Sequence, residues 1–305
     1  MRLISEYKKE TILSLSFLLD RLTPAGLYFI PILFLANTTG SHQISLYAIY
    51  SSLFASFVSV PLGFTSAIRY YSSLNNNDNS LYSPGSAIAL TLVISLLSII
   101  GYFIYYYIIL ESKSYHNIYL LCIFSISILI TAPYYAITSL NEGQKNVRLN
   151  NIYGFVSIPI FVLFIILLSS SFNPVEACAF SFLITRIIML LGISSDKKIL
   201  DGLFLIRRKD IIKTFRFGVS IAILFFIQKL ILTIMLSLLS ENRNEIAAFQ
   251  LLSIIAMILS LFSNAFFTNV FINIARKNLQ TKISLTISVF NITLITGIFF
   301  YLYGC

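Results

Sequence analysis

The chain has 305 residues, of which 57% are hydrophobic and only 11% are charged, and its formal net charge is +9. A soluble domain carries roughly 25% charged residues, so this composition excludes an ordinary soluble protein. The positive charge lies mainly in one set of loops of a membrane protein, as described below, and it therefore gives no reason to expect nucleic-acid binding.

Nine apolar stretches predict nine membrane-spanning helices, because about 20 mostly apolar residues are needed to cross a bilayer. The predicted spans are 11–36, 44–69, 85–110, 117–140, 151–171, 174–193, 213–239, 246–274 and 283–303. The loops between them are too short to fold as soluble domains. Span one lacks a short apolar core followed by a small-residue cleavage site, so we expect an uncleaved anchor. The predicted fold is an all-α, polytopic membrane protein.

Lysine and arginine are unevenly divided between the two sets of loops. They concentrate before span one and after spans four, six and eight, whereas the alternate loops hold only Lys113 and Arg243. Cytoplasmic loops are rich in these cations, so we predict that the N-terminus lies in the cytoplasm and that Cys305 lies outside.

Spans one and seven each carry a cation near the bilayer midplane, in the matching phrases LLDRL (18–22) and FIQKL (226–230). A charge there costs at least about 2.5–3.5 kcal/mol, so it normally faces a cavity or a partner rather than lipid. We expect Arg21 and Lys229 to line a positively charged central cavity, which favours an anionic cargo. An ion pair between Arg21 and Asp20 is an equally good interpretation.

Three other polar residues are weaker site candidates. Gln228 stands beside Lys229, Arg186 lies near the cytoplasmic end of span six, and Arg69 ends span two at the inner surface. For the two arginines, the simpler interpretation is a long side chain whose charged end reaches the membrane interface.

An internal repeat is suggested at a spacing of about 200 residues. ISLYA (44–48) follows the first charged phrase as IAAFQ (246–250) follows the second, and FTSA (64–67) is similar to FTNV (267–270). Spans one and two would then correspond to spans seven and eight, as in transporters that bind their substrate between repeat-related lobes. Chance similarity among apolar helices is the alternative.

The repeat predicts three parts of the chain. Residues 1–193 form an N-terminal lobe of six helices, residues 194–212 a basic cytoplasmic linker, and residues 213–305 a partial C-terminal lobe of three helices. The expected architecture is therefore two repeat-related lobes, the second of them incomplete.

Patterns typical of enzymes and metal sites are absent from the sequence. The three cysteines and two histidines stand apart, without metal-binding or nucleophile–base spacing. Asp20 is the only carboxylate expected well inside a span, so paired-carboxylate catalysis has no candidate residues. We expect neither an enzymatic activity nor a cofactor.

Four segments carry a resemblance to a known family: GSHQISLYA (40–48), LGFTSAIRY (62–70), LNEGQK (140–145) and RRKD (207–210). They resemble the corresponding segments of polysaccharide flippases. Those proteins belong to the multidrug/oligosaccharidyl-lipid/polysaccharide exporter superfamily, with the multidrug and toxic compound extrusion (MATE) proteins and the peptidoglycan-precursor flippases. The chain departs from the family in having fewer predicted spans than the usual twelve to fourteen, and in having Ser45 where glycine is common.

The resemblance implies a flippase that moves a lipid-linked (undecaprenyl-diphosphate) oligosaccharide across the bacterial inner membrane by alternating access. Arg21 could bind phosphate oxygens through its planar fork, and Lys229 would act as a point charge. The expected partners are this substrate and membrane lipids, with a second copy of the chain or polysaccharide-assembly proteins as further options.

Two other functions remain open. A MATE-type exporter coupled to a cation gradient would use Asp20 as its coupling residue, although such exporters more typically carry a carboxylate in span seven, where this chain has Gln228 and Lys229. A non-transporting remnant or membrane-embedded interaction protein is the second alternative, because the predicted C-terminal lobe has only three spans.

Overall fold

The computed structural model of the protein describes residues 2–74, 82–110 and 117–238, together with residues 245, 246, 268, 270 and 272. Within these ranges, side chains are described for all but residues 2–11, 14, 20–25, 109, 110 and 198. All regular elements in this part of the chain are helical, as the sequence predicts.

The described elements follow one another as α1 (Arg2–Thr38), α2 (Ser41–Leu74), α3 (Pro84–Tyr105), α4 (Ile118–Gly143), α5 (Arg148–Leu168), α6 (Pro174–Ser194), α7 (Lys197–Gly202) and α8 (Arg208–Leu238). A π-helical turn, Tyr106–Leu110, continues α3. Six helices in the described part, α2 to α6 and α8, are long and apolar enough to cross a membrane.

Predicted spans two to seven coincide with these six helices, and α1 contains predicted span one. Helix α4 runs past the predicted end at residue 140 to Gly143, which brings Glu142 into the helix. Predicted spans eight (246–274) and nine (283–303), and with them the second half of the repeat, lie outside the described residues apart from a few single positions. The division into two lobes therefore stays a prediction.

Short polar residues fix where several helices begin. The side chain of Ser83 accepts a hydrogen bond from the backbone N–H of Ser86 at the start of α3, and Asn117 does the same for Leu120 at the start of α4. Such caps satisfy backbone donors that have no partner within the helix, and each contributes about 0.5–2 kcal/mol. Pro84 occupies the first position of α3, where its missing N–H costs nothing.

Helix α2 lies at the centre of the bundle and packs against α1, α3, α4, α6 and α8. Its aromatic residues meet those of two other helices: the Phe54 ring lies 5.5 Å from that of Phe124 on α4 and 5.4 Å from that of Phe182 on α6. Such pairs add about 0.5–1.5 kcal/mol each to the free energy gained from burial. The core of the described part is therefore built around α2.

Helices α2 and α8 run antiparallel and form a long seam. It extends from Ser56 and Thr233, whose side-chain oxygens are 2.7 Å apart, to the stacked rings of Tyr70 and Phe217, 5.2 Å apart. Along α2 this is about 21 Å, most of the hydrocarbon thickness. Because α8 is the first helix of the predicted C-terminal lobe, the seam joins the two predicted lobes.

Near the start of α8, the seam reaches the start of α3. The hydroxyl oxygens of Tyr82, just before α3, and Thr214 of α8 are 2.5 Å apart. Burial raises the pKa of the Tyr82 phenol, so the phenol is neutral and hydrogen-bonding at physiological pH. The N-terminal part of α8 is thus held against α3 as well as α2.

Candidate functional site: cations within the helix bundle

Asp20 and Arg21 both lie on α1, in the part of that helix whose side chains are not described. Their pairing with each other and the position of Arg21 in a cavity remain predictions. The other candidate residues can be placed.

Lys229 and Gln228 lie on α8. Gln228 is exposed on the surface of the bundle, whereas Lys229 is half-buried. The hydroxyl of Thr233, one turn further on, lies 3.0 Å from the carbonyl oxygen of Ser52 on α2 and 3.3 Å from that of Lys229. The backbone of this turn is therefore tied to α2, and no carboxylate of the described residues forms a salt bridge with Lys229.

Arg186 differs from the expectation of an interfacial side chain, because it is fully buried, with 0% of its surface exposed. Its guanidinium carbon lies 5.0, 5.3 and 5.5 Å from the ring centroids of Phe182, Tyr135 and Tyr134, respectively. Its Nη2 also donates a hydrogen bond of 3.4 Å to the Tyr135 hydroxyl. We call these three rings the arginine cage. Arg186 points into the bundle because α4 offers aromatic faces there.

Two nitrogens of Arg186, Nε and Nη1, have no hydrogen-bond partner among the described residues. Leaving a buried donor unsatisfied costs about 1–3 kcal/mol, and more if it is charged. A cation–π contact stabilises a desolvated cation by about 2 kcal/mol or more. A buried guanidinium with open donors, and with no carboxylate partner among the described residues, is therefore a candidate anion-binding group.

Arg69 also differs from the expected interfacial anchor. It forms an ion pair with Glu142 in the last turn of α4, and the exposed fractions of the two side chains are 10% and 2%. Both Nε and Nη2 of Arg69 contact the same carboxylate oxygen. Glu142 was not among the predicted site residues, because the predicted span ended before it. The signal that could have found it is a cation, Arg69, and an acid, Glu142, near the C-terminal ends of two helices.

The ion pair belongs to a larger group of contacts that we call the α2–α4 polar cluster: Arg69, Ser72, Asn141, Glu142 and Asn150. The Asn141 side chain donates to Asn150 Oδ1 over 2.9 Å, and the Asn150 side chain donates to the Thr138 carbonyl oxygen over 3.1 Å. A methyl group at Gly143 would lie 1.8 Å from Ser72 Oγ, so only glycine allows this approach. The cluster joins the C-terminal ends of α2 and α4 to the start of α5.

The described cations do not form one site. Arg69 lies about 20 Å along α2 from Ser56, the residue that faces the turn of Lys229. Arg186 is held on the α4 and α6 side, and α2 contacts both α6 and α8. The structure brings Arg69 to Glu142 and Arg186 to aromatic rings, and it leaves Lys229 beside the seam.

The described part of the chain offers no metal site, because no group of three or more His, Cys, Asp or Glu residues there could hold an ion. An open groove of about 660 Å³ lies on the C-terminal half of α3 and the turn that follows it, lined by Ile99, Ile100, Phe103, Ile104, Tyr107 and Ile108. Because all its lining residues are apolar or aromatic and share one helix, the groove is a surface suited to lipid.

No protein-family model matches the sequence, and no curated protein matches it. Solved structures do match the fold. A eukaryotic MATE transporter has a TM-score of 0.75 at 14% identity, with 97% of this chain and 71% of that chain covered. The MATE transporter VcmN of Vibrio cholerae, as a point mutant, has a TM-score of 0.71 at 12% identity, with 99% and 74% covered.

An outward-facing multidrug-resistance MATE family transporter of the same superfamily as the flippases has a TM-score of 0.67 at 14% identity, with 98% of this chain and 73% of that chain covered. These likenesses are likenesses in fold, and they do not single out the polysaccharide flippases. The chain has the fold of the MATE transporters.

Proposed function

We propose that the protein is a membrane transporter of the MATE type, an exporter that moves its cargo by alternating access. The observation that carries this proposal is the likeness in fold to MATE transporters over 97–99% of the chain. The seam between α2 and α8 supports it, because rocking of two lobes needs a contact surface that can open and close. The cation-coupled exporter considered from the sequence is thus the hypothesis that the comparisons favour.

A lipid-linked oligosaccharide flippase is the second candidate, and a specific observation favours it. Arg186 and Lys229 lie within membrane-spanning helices without a carboxylate partner in the described residues, and Glu142 is already paired with Arg69. Such cations repel an organic cation and attract the phosphates of a diphosphate. Cationic groups along the path would also lower the cost of carrying a polar headgroup through hydrocarbon.

For either cargo, we propose a multi-pass protein of the bacterial inner membrane with a cytoplasmic N-terminus. The cation-rich loops support this orientation. A second copy of the chain, or polysaccharide-assembly proteins in the flippase case, would be the further partners.

The two candidates are separated by one experiment in a strain that lacks the protein. Surface polysaccharide and sensitivity to cationic dyes are measured after complementation with the wild type, Arg186→Gln, Lys229→Gln and Arg148→Gln. Arg148 is exposed at the start of α5 and provides the matched control. All variants are first checked for equal amounts in the membrane.

Increased dye sensitivity with normal polysaccharide in the deletion strain would support the exporter and reject the flippase. Loss of polysaccharide with unchanged dye sensitivity in the deletion strain would support the flippase and reject the exporter. In that case the wild type and Arg148→Gln should restore the polysaccharide, and Arg186→Gln should not. No change in either measurement would reject both candidates and leave the non-transporting membrane protein.

A further inference from the structure

The loop between α7 and α8, residues 203–207, has exposed apolar side chains. Phe204 has 94% of its surface exposed, and Leu205 and Ile206 have 47% and 59%. An exposed run of this kind is costly in water. In a membrane protein it is explained if the run lies at the level of lipid.

The loop is fixed at the depth of the first turn of α3. The Ser83 hydroxyl donates to the carbonyl oxygen of Leu205, and the backbone N–H of Arg207 donates to Ser86 Oγ over 2.7 Å. A methyl group at Gly85 would lie 2.2 Å from the carbonyl oxygen of Leu203, so the glycine allows the loop to lie against the helix. Because α3 is one of the membrane-spanning helices, its first turn marks the interface, and Phe204 is held there.

Cations follow the apolar residues directly. Arg208, Lys209 and Lys213 are exposed in the first turns of α8. Asp210, the acid between them, accepts a hydrogen bond of 3.3 Å from the backbone N–H of Ser83 and is therefore directed toward α3. The loop thus presents apolar side chains next to positive charge, at one depth.

We propose that this loop binds anionic phospholipid of the cytoplasmic leaflet. Phe204 and Ile206 insert at the boundary between headgroups and acyl chains, and Arg208 and Lys209 bind the lipid phosphates. Aromatic residues are favoured at that boundary, and each lysine or arginine near an anionic surface strengthens binding about fivefold. The charge, the depth and the exposed apolar run together favour lipid over a soluble protein. The proposal does not depend on the cargo.

The chain contains no tryptophan, so Phe204→Trp introduces a single reporter. The purified full-length variant is reconstituted into phosphatidylcholine vesicles that contain acyl chains brominated near the headgroup. The matched control is Gln144→Trp, an exposed position in the polar loop between α4 and α5 on the same side. We expect Phe204→Trp to lose most of its fluorescence and Gln144→Trp to keep it. Equal emission, characteristic of water at both positions, would overturn the proposal.

The choice of headgroup is tested by energy transfer from the tryptophan of the Phe204→Trp variant to dansyl-labelled phosphatidylglycerol or phosphatidylcholine. We expect a preference for phosphatidylglycerol that falls about fivefold for each cation removed when Arg208→Gln and Lys209→Gln are added to that variant. Adding Arg148→Gln instead, which removes an exposed cation elsewhere, should leave the preference unchanged. The preference should also weaken in 1 M salt, because the Debye length is then only about 3 Å.

A preference for phosphatidylglycerol that survives removal of both cations would refute the assignment of headgroup binding to them. Quenching of Phe204→Trp by a soluble quencher, but not by brominated lipid, would show that the loop faces water and is open to a soluble partner, against the proposal. Gel filtration of each variant confirms that these surface substitutions leave the fold intact.

Discussion

Arg69 and Glu142 form an ion pair in which both side chains are nearly removed from solvent, and this pair joins α2 to α4 near their C-terminal ends. The two residues are 73 positions apart in the sequence. Removing one member of a buried pair is far more costly than replacing both, because the remaining charge loses its counter-ion. The pair is therefore a clear test of the described packing.

We expect Glu142→Gln to lower the free energy of unfolding by about 3–5 kcal/mol, because Arg69 stays buried without its partner. The double variant Arg69→Met with Glu142→Leu should recover most of the loss. Unfolding in detergent, followed by circular dichroism, measures both. Asp201→Asn, at an exposed position, is the control. Equal stability of the single and double variants would contradict the buried pair.

At the seam, a methyl group on Gly63 would lie 2.2 Å from the Cα atom of Ala222, which is backbone and cannot turn away. Gly63→Ala should therefore push α2 and α8 apart and cost about 1–3 kcal/mol of stability. Gly40→Ala is the matched control, because nothing lies within 4 Å of its added carbon. If both variants unfold at the same temperature as the wild type, the close approach at the seam is wrong.

The side-chain oxygens of Ser56 and Thr233 are 2.7 Å apart, so cysteines at these positions should form a disulfide across the seam. The three native cysteines are first replaced by serine. If alternating access opens the seam, oxidation should stop transport and a reductant should restore it. Each single cysteine variant is the control. Full transport by the oxidised pair would show that the seam stays closed during the cycle.

Arg186→Met should leave the stability of the protein unchanged or raise it, since apolar side chains often replace a buried charge without loss. If Arg186 binds an anionic cargo, the same variant should lose transport of that cargo. Tyr135→Phe, which removes only the hydroxyl that accepts from Arg186, should have a smaller effect on transport. A variant that unfolds but transports normally when rescued at low temperature would give Arg186 a structural role only.

The orientation is checked by reporter fusions at Lys145 and Gly202, which we expect in the cytoplasm, and at Ser114, which we expect outside. The loop after α4 and the linker both carry cations, whereas the loop at Ser114 carries only Lys113. A cytoplasmic signal at Ser114 would overturn the predicted topology. It would also place the α2–α4 polar cluster outside the cell rather than in the cytoplasm.

Hydropathy alone located the membrane-spanning helices of the described part, because apolar length is what the bilayer selects. Hydropathy ended span four at residue 140, before Glu142, because the last residues of α4 are polar although they are still helical. It also failed for Arg186, because composition does not tell which way a side chain points. The contact between Ser56 and Thr233, 177 residues apart, has no local signal in the sequence. Asp20 and Arg21, and the internal repeat, remain predictions.

The separation of α2 from α8 along the chain has a consequence for synthesis. Thr233 leaves the ribosome roughly 10–35 s after Ser56, at about 5–20 residues per second. During that time α2, the least apolar of the six described membrane-spanning helices, lacks one of its main neighbours. The hydroxyls of Ser52, Ser56 and Ser59 donate to carbonyl oxygens of α2 itself, one turn back. Helix α2 can therefore reside in the bilayer, or beside the insertion machinery, before α8 is made, because these hydroxyl donors already have partners within α2.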